Sequence, residues 1–270
     1  MRKALLGLYT YAEFGLFTAV FLPTMGVAWA LHRGDPLQRV PGRWMRRYGR
    51  VTSDCTPLWK FSVEGQPPAD IHDKAYVVIS NHESTADPFL LAHLPWDMRW
   101  IGKDEIRKLP VLGWIMKFGG DMSVKRGDGE SVRAMMKEAL ATLRRGLPIM
   151  IFPEGTRSPD GNLLPFKDGA FHLAIAAQVP VLPVAISGTR DCRPKGSKWF
   201  GEARAIARVL APIPTAGMTE ADLPRLKAMA RDAIAAALPD LRARTGLVAQ
   251  QKAAAPARTV SAASPAAPAE

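Results

Sequence analysis

The chain has 270 residues, 47% of them hydrophobic, and carries 36 basic against 25 acidic side chains for a net charge of +11. That is enough chain for one full domain with appendages, and the charge calls for an anionic partner. No helix-turn-helix, zinc-finger or RNA-stacking signature accompanies the charge, which turns the expectation from nucleic acid to anionic lipid or a phosphorylated substrate. Cys55 and Cys192 stand far apart with no C-x-x-C, so neither a disulfide framework nor a zinc site is supported. The absence of G-x-S-x-G, P-loop and G-x-G-x-x-G patterns weighs against serine hydrolases and nucleotide binders.

Ala4 to Leu31 is strongly apolar and long enough to cross a bilayer core of about 30 Å as one helix. Glu13 lies within it, and Pro23 and Gly26 interrupt it, which leaves spanning and dipping into one leaflet both open. A cleaved leader ending at Ala28-Trp29-Ala30 is the rival reading, disfavoured because the run exceeds the usual apolar region of such leaders. Arg33, Arg39, Arg43, Arg46, Arg47 and Arg50 follow, mixed with Val40, Trp44, Met45 and Tyr48. This composition fits a basic amphipathic helix on anionic headgroups, and the positive-inside rule turns that side to the cytoplasm. Residues 1–57 are therefore expected to be a membrane-associated helical segment.

From about residue 58 the pattern becomes α/β, and residues 58–245 are expected to form one domain. Leu58–Val63 and Tyr76–Ile79 read as strands. Pro88 suits the start of a helix, with Asp87 where an N-cap would stand. After Met98–Lys103 comes a short apolar helix, Val111–Phe118, broken by Gly119-Gly120, and then a strand at Met122–Val124. Asp128 caps an amphipathic helix whose Val132, Met135, Met136, Ala139, Leu140 and Leu143 recur at helical spacing, and Gly146 ends it. Ile149–Phe152 is a buried strand that runs into the loop Pro153–Ser158. Gly169–Ala177 is helical, and Val179–Ile186 is a strand whose two prolines suggest an edge, a bulge or a backbone that meets a ligand. A last strand covers Ala203–Leu210, and a closing helix runs from Thr219 to about Leu238. Residues 246–270, rich in Ala and Pro, are expected to be disordered. The sum is a mixed, mostly parallel sheet flanked by helices.

His82 and Asp87 fall in the strand-to-helix connection after Ile79, the usual place for function on such a scaffold. A histidine can take a proton from a hydroxyl near neutral pH, and a carboxylate on its other nitrogen would fix its tautomer. On a continuous helix the spacing H-x-x-x-x-D would turn the two about 140° apart, so the pair requires a bent connection. The bland alternative is a solvated histidine and a plain N-cap. Lys103, Arg126 and Arg157 each follow a predicted strand. Strand ends of a parallel sheet share one edge, so the three cations can form a phosphate cradle there.

Four blocks in order carry a resemblance: Asn81-His82-Glu83-Ser84-Thr85-Ala86-Asp87, Gly120 through Arg126, Phe152 through Ser158, and Val179 through Val184, with Phe166–Ala170 also similar. The chain resembles the glycerolipid acyltransferase family over about residues 60–215. The resemblance implies direct acyl transfer from an acyl thioester, acyl-CoA or acyl carrier protein (acyl-ACP), to the sn-2 hydroxyl of 1-acyl-sn-glycerol-3-phosphate, giving phosphatidic acid. A sibling activity on another lysophospholipid or an aminolipid is the alternative. His82 would be the base and Asp87 its orienting partner, with amides at the loop or helix start meeting the oxyanion. Lys103, Arg126 and Arg157 would hold the acceptor phosphate, while Glu154, Gly155 and Thr156 shape the acceptor site. The prolines of the fourth block would line the site wall or touch the acyl chain. The family needs no metal or other cofactor. The expected partners are a lysophospholipid, the thioester carrier and an anionic membrane surface, with no nucleic acid. The active site would lie on the cytoplasmic face of the inner membrane.

Overall fold

The computed structural model describes residues 2–193 and 197–246. The expectation for the tail falls on residues 247–270, outside the described residues. A helix α1 (Arg2–Leu31) and a second helix α2 (Arg39–Cys55) precede the first strand. Seven strands then form one sheet: β1 (Trp59–Glu64), β2 (Val77–Ser80), β3 (Arg99–Lys103), β4 (Met122–Val124), β5 (Ile149–Ile151), β6 (Val181–Ser187) and β7 (Ala203–Val209). Their order across the sheet is β1-β7-β6-β2-β5-β3-β4. The five strands from β6 to β4 run parallel, while β7 pairs with β6 antiparallel and carries β1 with it. The mostly parallel sheet read from the sequence is the sheet of the structure.

Apolar runs become central strands because both faces are covered. Along β2, Val77 and Ile79 enter the core on one side, and Tyr76 and Val78 enter the core on the other. Helices α6 (Gly129–Arg144), α7 (Gly169–Ala177) and α8 (Leu223–Thr245) cover the first face. Helix α3 (Asp87–Leu91) and the segment to Met98 cover the second, through Leu90, Leu91, Trp96 and Met98. Two further helices, α4 (Asp104–Arg107) and α5 (Leu112–Gly119), link β3 to β4. The expected cap of α6 is in place: the Asp128 carboxylate accepts from the Glu130 and Ser131 amides at 3.1 Å each. Helix α8 continues past the expected end near Leu238, because Leu241 and Thr245 beyond Pro239 are also buried.

Helix α1 is continuous through Pro23 and Gly26, and Ala4–Leu31 is long and apolar enough to cross a membrane. It lies along the domain. Thr10 meets Thr56 just past α2, and Thr18 bonds Tyr48 on α2 at 2.9 Å, so the two helices are antiparallel. Phe14 packs on Trp59 and Phe89, and Gly26 faces the Phe118 ring. Glu13 turns inward with this face and is buried, while Leu5, Leu8, Leu16, Val20 and Val27 stay exposed on the other.

The prolines of β6 do not mark an edge. The strand is interior and fully buried. Pro183 is tolerated because β7 ends there: the last paired residues are Val184 and Val209, and the Pro183 carbonyl accepts from Leu210 beyond the strand.

Candidate active site

Strand β2 ends at Ser80, and the chain then curls back on itself instead of entering a helix. Asn81 fixes the exit by bonding Ile186 of β6 through both its side-chain atoms, at 2.9 Å each. Asp87 is not an N-cap. It is the first residue of α3, and its carboxylate reaches backwards to accept from the Glu83 amide at 2.8 Å and the Ser84 amide at 3.1 Å. That capture bends the connection as the His–Asp spacing requires. His82 Nδ1 lies 2.6 Å from Asp87 Oδ2. A carboxylate there holds the Nδ1–H tautomer, so Nε2 keeps its lone pair. The His82 side chain is 20% exposed and Asp87 is fully buried, which leaves one edge of the imidazole for a substrate. The Phe152 ring stacks on the imidazole at 4.0 Å and fixes its plane.

The loop after β5 is tied to this bend by one carboxylate. Glu154 Oε1 accepts from the His82 amide at 2.8 Å, and Oε2 accepts from the Leu164 amide at 2.9 Å. Burial pushes the Glu154 carboxyl upward, while those two amides pull it back. The Ser158 amide closes the junction with a 2.8 Å bond to the His82 carbonyl. Gly155 turns the loop at φ +68°, and Lys167 packs where a side chain at Gly155 would go. Thr156 and Arg157 stand exposed at the rim.

A third segment enters from 102 residues away. The Thr189 hydroxyl, in the 3₁₀ turn after β6, donates to Asp87 Oδ1. Next to it, the Gly188 amide donates to Glu83 Oε2 at 3.0 Å. Glu83 is buried, and Oε1 finds no partner among the described residues. Burial, with the Asp87 charge beside it, pushes the Glu83 carboxyl up to about 8. Thr189 and Gly188 escaped the sequence reading, because nothing in a strand-to-turn Ser-Gly-Thr marks a partner so distant in the chain. Glu83 stood inside the first block without a role. Cys192 in the same turn is buried, and burial pushes its thiol well up, so it is not a nucleophile.

Lys103 and Arg126 lie at the C-terminal ends of β3 and β4, on the same edge as His82. They are strung outward from it. At about 4.8 Å per strand, Lys103 is roughly 10 Å and Arg126 roughly 14 Å from the axis of β2. Arg157, one residue before Ser158, is held beside His82 by the backbone. The Glu83, Ser84, Ala86 and Asp87 amides are engaged within the bend, which removes these four as donors to an oxyanion. Of the fourth block, Val181–Val184 is wholly buried in β6, with Pro183 in the sheet core, while Val179 and Pro180 are half-buried before the strand, at the end opposite His82. An open cleft of about 360 Å³ lies away from this edge, beside the Arg43, Arg46 and Arg50 side chains of α2 and Asp97. It contains none of the predicted site residues.

A buried carboxylate oriented on a half-open imidazole at the mouth of a parallel sheet is the arrangement of a general base held ready for a hydroxyl. In comparison with known proteins, residues 60–187 match the family model described as Acyltransferase. Among curated relatives, human 1-acyl-sn-glycerol-3-phosphate acyltransferase alpha is 37% identical over 153 residues, 56% of this chain and 54% of the relative. The human beta form is 39% identical over 152 residues, 56% of this chain and 55% of the relative. The chloroplastic enzyme BAT2 of Brassica napus is 37% identical over 153 residues, 56% of this chain and 44% of the relative. The chain thus matches about half the length of these relatives. The crystal structure of the 1-acyl-sn-glycerophosphate (LPA) acyltransferase PlsC from Thermotoga maritima superimposes with a TM-score of 0.70 at 26% identity, covering 87% of this chain and 95% of that one.

Proposed function

We propose that this protein transfers an acyl chain from a thioester of coenzyme A or acyl carrier protein to the sn-2 hydroxyl of 1-acyl-sn-glycerol-3-phosphate, forming phosphatidic acid. The observation that carries the reading is the His82–Asp87 pair at 2.6 Å with the imidazole edge open. His82 Nε2 takes the acceptor hydroxyl proton as the oxygen attacks the thioester carbonyl. Asp87, locked by two amides and Thr189, holds the ring and stabilises the imidazolium. The tetrahedral intermediate then collapses, expelling the thiolate, which receives the proton from His82. Arg157 holds the acceptor phosphate, with Lys103 and Arg126 extending positive potential along the edge for the anionic thioester carrier. Gly155 and Thr156 shape the acceptor side of the loop. No step calls for a metal or prosthetic group.

The exposed apolar face of α1 supports membrane association. Its other face is packed lengthwise on the domain, which favours a helix lying in one leaflet over one that crosses. The arginines of α2 suit anionic headgroups on the cytoplasmic side of the inner membrane.

The test is an acceptor panel on membranes holding wild type or His82→Ala. One labelled thioester is offered with lysophosphatidate and other lysolipids, and products are separated by chromatography. Lysophosphatidate should be acylated best, and only by the wild type, with a loss of at least about a hundredfold in the variant. Preference for another lysolipid transfers the mechanism to that acceptor. No turnover with either thioester carrier sinks the reading.

A further inference from the structure

The turn before α5 and the first turn of that helix form an exposed apolar segment whose contacts among the described residues do not account for it. Four large side chains stand out within six residues: Leu109 at 49% exposure, Val111 at 39%, Leu112 at 49% and Trp114 at 59%. Its tip is strained. Val111 sits at φ +67° and ψ −60°, and the Leu112 amide bonds the Pro110 carbonyl at 2.7 Å, a γ-turn of the rare positive-φ kind. A β-branched residue adopts that conformation at a cost of order kT or more, and it is kept only where surrounding structure imposes it. Here Gly113 imposes it: its amide bonds the Leu109 carbonyl at 2.9 Å, and a Cβ there would lie 2.0 Å from the Arg107 carbonyl oxygen. The loop is built to hold leucine, valine and tryptophan outward.

Two features say what covers it. The first is charge: Lys103, Arg107, Lys108 and Lys117 border the loop against Asp104 and Glu105, and Asp104 is engaged by Lys108. The second is contact with the C-terminal end of α1, the helix whose other face is exposed and apolar. Trp114 packs edge-on against Phe118, Phe118 packs against Trp29 of α1, and Arg33 and Lys117 sit over the Trp29 ring. A tryptophan under two cations, with a second exposed tryptophan one ring away, is the kind of side-chain set enriched at a bilayer interface. Because α4 begins where β3 ends, the loop lies on the same edge of the sheet as His82.

We propose that residues 109–114 are a second bilayer-inserting element, distinct from α1, which dips into a leaflet bearing anionic headgroups and brings the His82 edge down to the lipid surface. This rests on the membrane reading of α1, and the experiment separates the two. In a Cys55→Ser background, with Cys192 buried, single cysteines replace Leu112, Leu16 on α1 or Asp232 on α8, and each carries an environment-sensitive fluorophore. The full chain is added to vesicles of phosphatidylcholine with or without phosphatidylglycerol, some doped with a spin-labelled lipid that quenches within the acyl layer. The probes at positions 112 and 16 should shift to the blue and be quenched severalfold more than the probe at 232, with position 112 responding more strongly when phosphatidylglycerol is present. A position 112 that behaves like 232 while 16 inserts overturns the inference and leaves the anchoring of α1 standing. If neither 112 nor 16 inserts, the membrane reading itself fails. A blue shift at 112 that needs no vesicles and grows with protein concentration assigns the loop to a second copy of the chain and also overturns the proposal.

Discussion

Around His82 nearly every polar atom has a fixed partner, whereas Thr156, Arg157 and Arg126 stand in solvent on the same edge of the sheet. The imidazole is held by Asp87, stacked on Phe152 and tied through its own backbone to Glu154 and Ser158. The difference follows from the work each region is assigned. A base that must sit within hydrogen-bond reach of one hydroxyl gains from a geometry fixed before the substrate arrives. Cations that meet a phosphate on a mobile lipid can leave their ordering to the encounter.

The largest test of this contrast is Asp87→Asn. The amide can no longer accept at every point where the carboxylate did, and it favours the wrong tautomer of His82. Turnover should fall by roughly 10²–10⁴-fold with KM nearly unchanged, measured as steady-state acyl transfer. Glu154→Gln comes next. One of its two acceptors becomes a donor facing an amide, so the two loops separate; kcat should drop about tenfold or more and thermal stability should fall by about 1–3 kcal/mol. Both losses should be partly rescued by Glu154→Asp only if reach matters less than charge. Arg157→Ala should chiefly raise the KM for a phosphate-bearing acceptor, by about tenfold, and leave kcat in place. A kcat loss as deep as that of Asp87→Asn would break the comparison, because the cation would then belong to the fixed half.

A last effect, on stability and not on turnover, is one of pH. Glu83 ionises near 4.5 in the unfolded chain and near 8 in the folded one. The folded state therefore holds its proton more tightly, and stability drains away as pH rises through that interval. Glu83→Gln should make the decline of Tm between about pH 5 and 8 shallower than in the wild type, read by thermal denaturation across buffers, with Asp121, raised to about 7 by burial, keeping part of it. A wild type as flat as the variant would mean that Glu83 is solvated more than its burial suggests.

What the sequence made legible was local. The order of strands and helices, the Asp128 cap and the bent connection joining His82 to Asp87 could each be argued from a few neighbouring residues. The sheet's parallel character followed from its alternation with helices. Long-range placements were not legible. Thr189 donates to Asp87 across 102 residues, and no local pattern announces such a bond. The Asp87 amide environment was misread as a helix cap because a cap and a backward capture begin with the same Asp-Pro. Pro180 and Pro183 left an edge, a bulge and a ligand contact all open, since the end of the β6–β7 ladder at Pro183 depends on where β7 stops. Lys103 and Arg126 were placed on the correct edge, but their distance from His82 depends on strand order, which the sequence does not state.

The pairing of β1 with β7 joins residues 144 positions apart, as in Glu64 with Arg208. During synthesis, α1, α2 and β1 therefore leave the ribosome with no neighbouring strand to receive them, and they wait for nearly the whole domain before the sheet can close. Through that interval Phe21 of α1 can already lie on Trp44 and Tyr48 of α2, whereas Phe14 waits for Phe89 and Phe200. The first two helices can therefore pair early, and the long-range closure of β7 on β1 completes their docking on the sheet late.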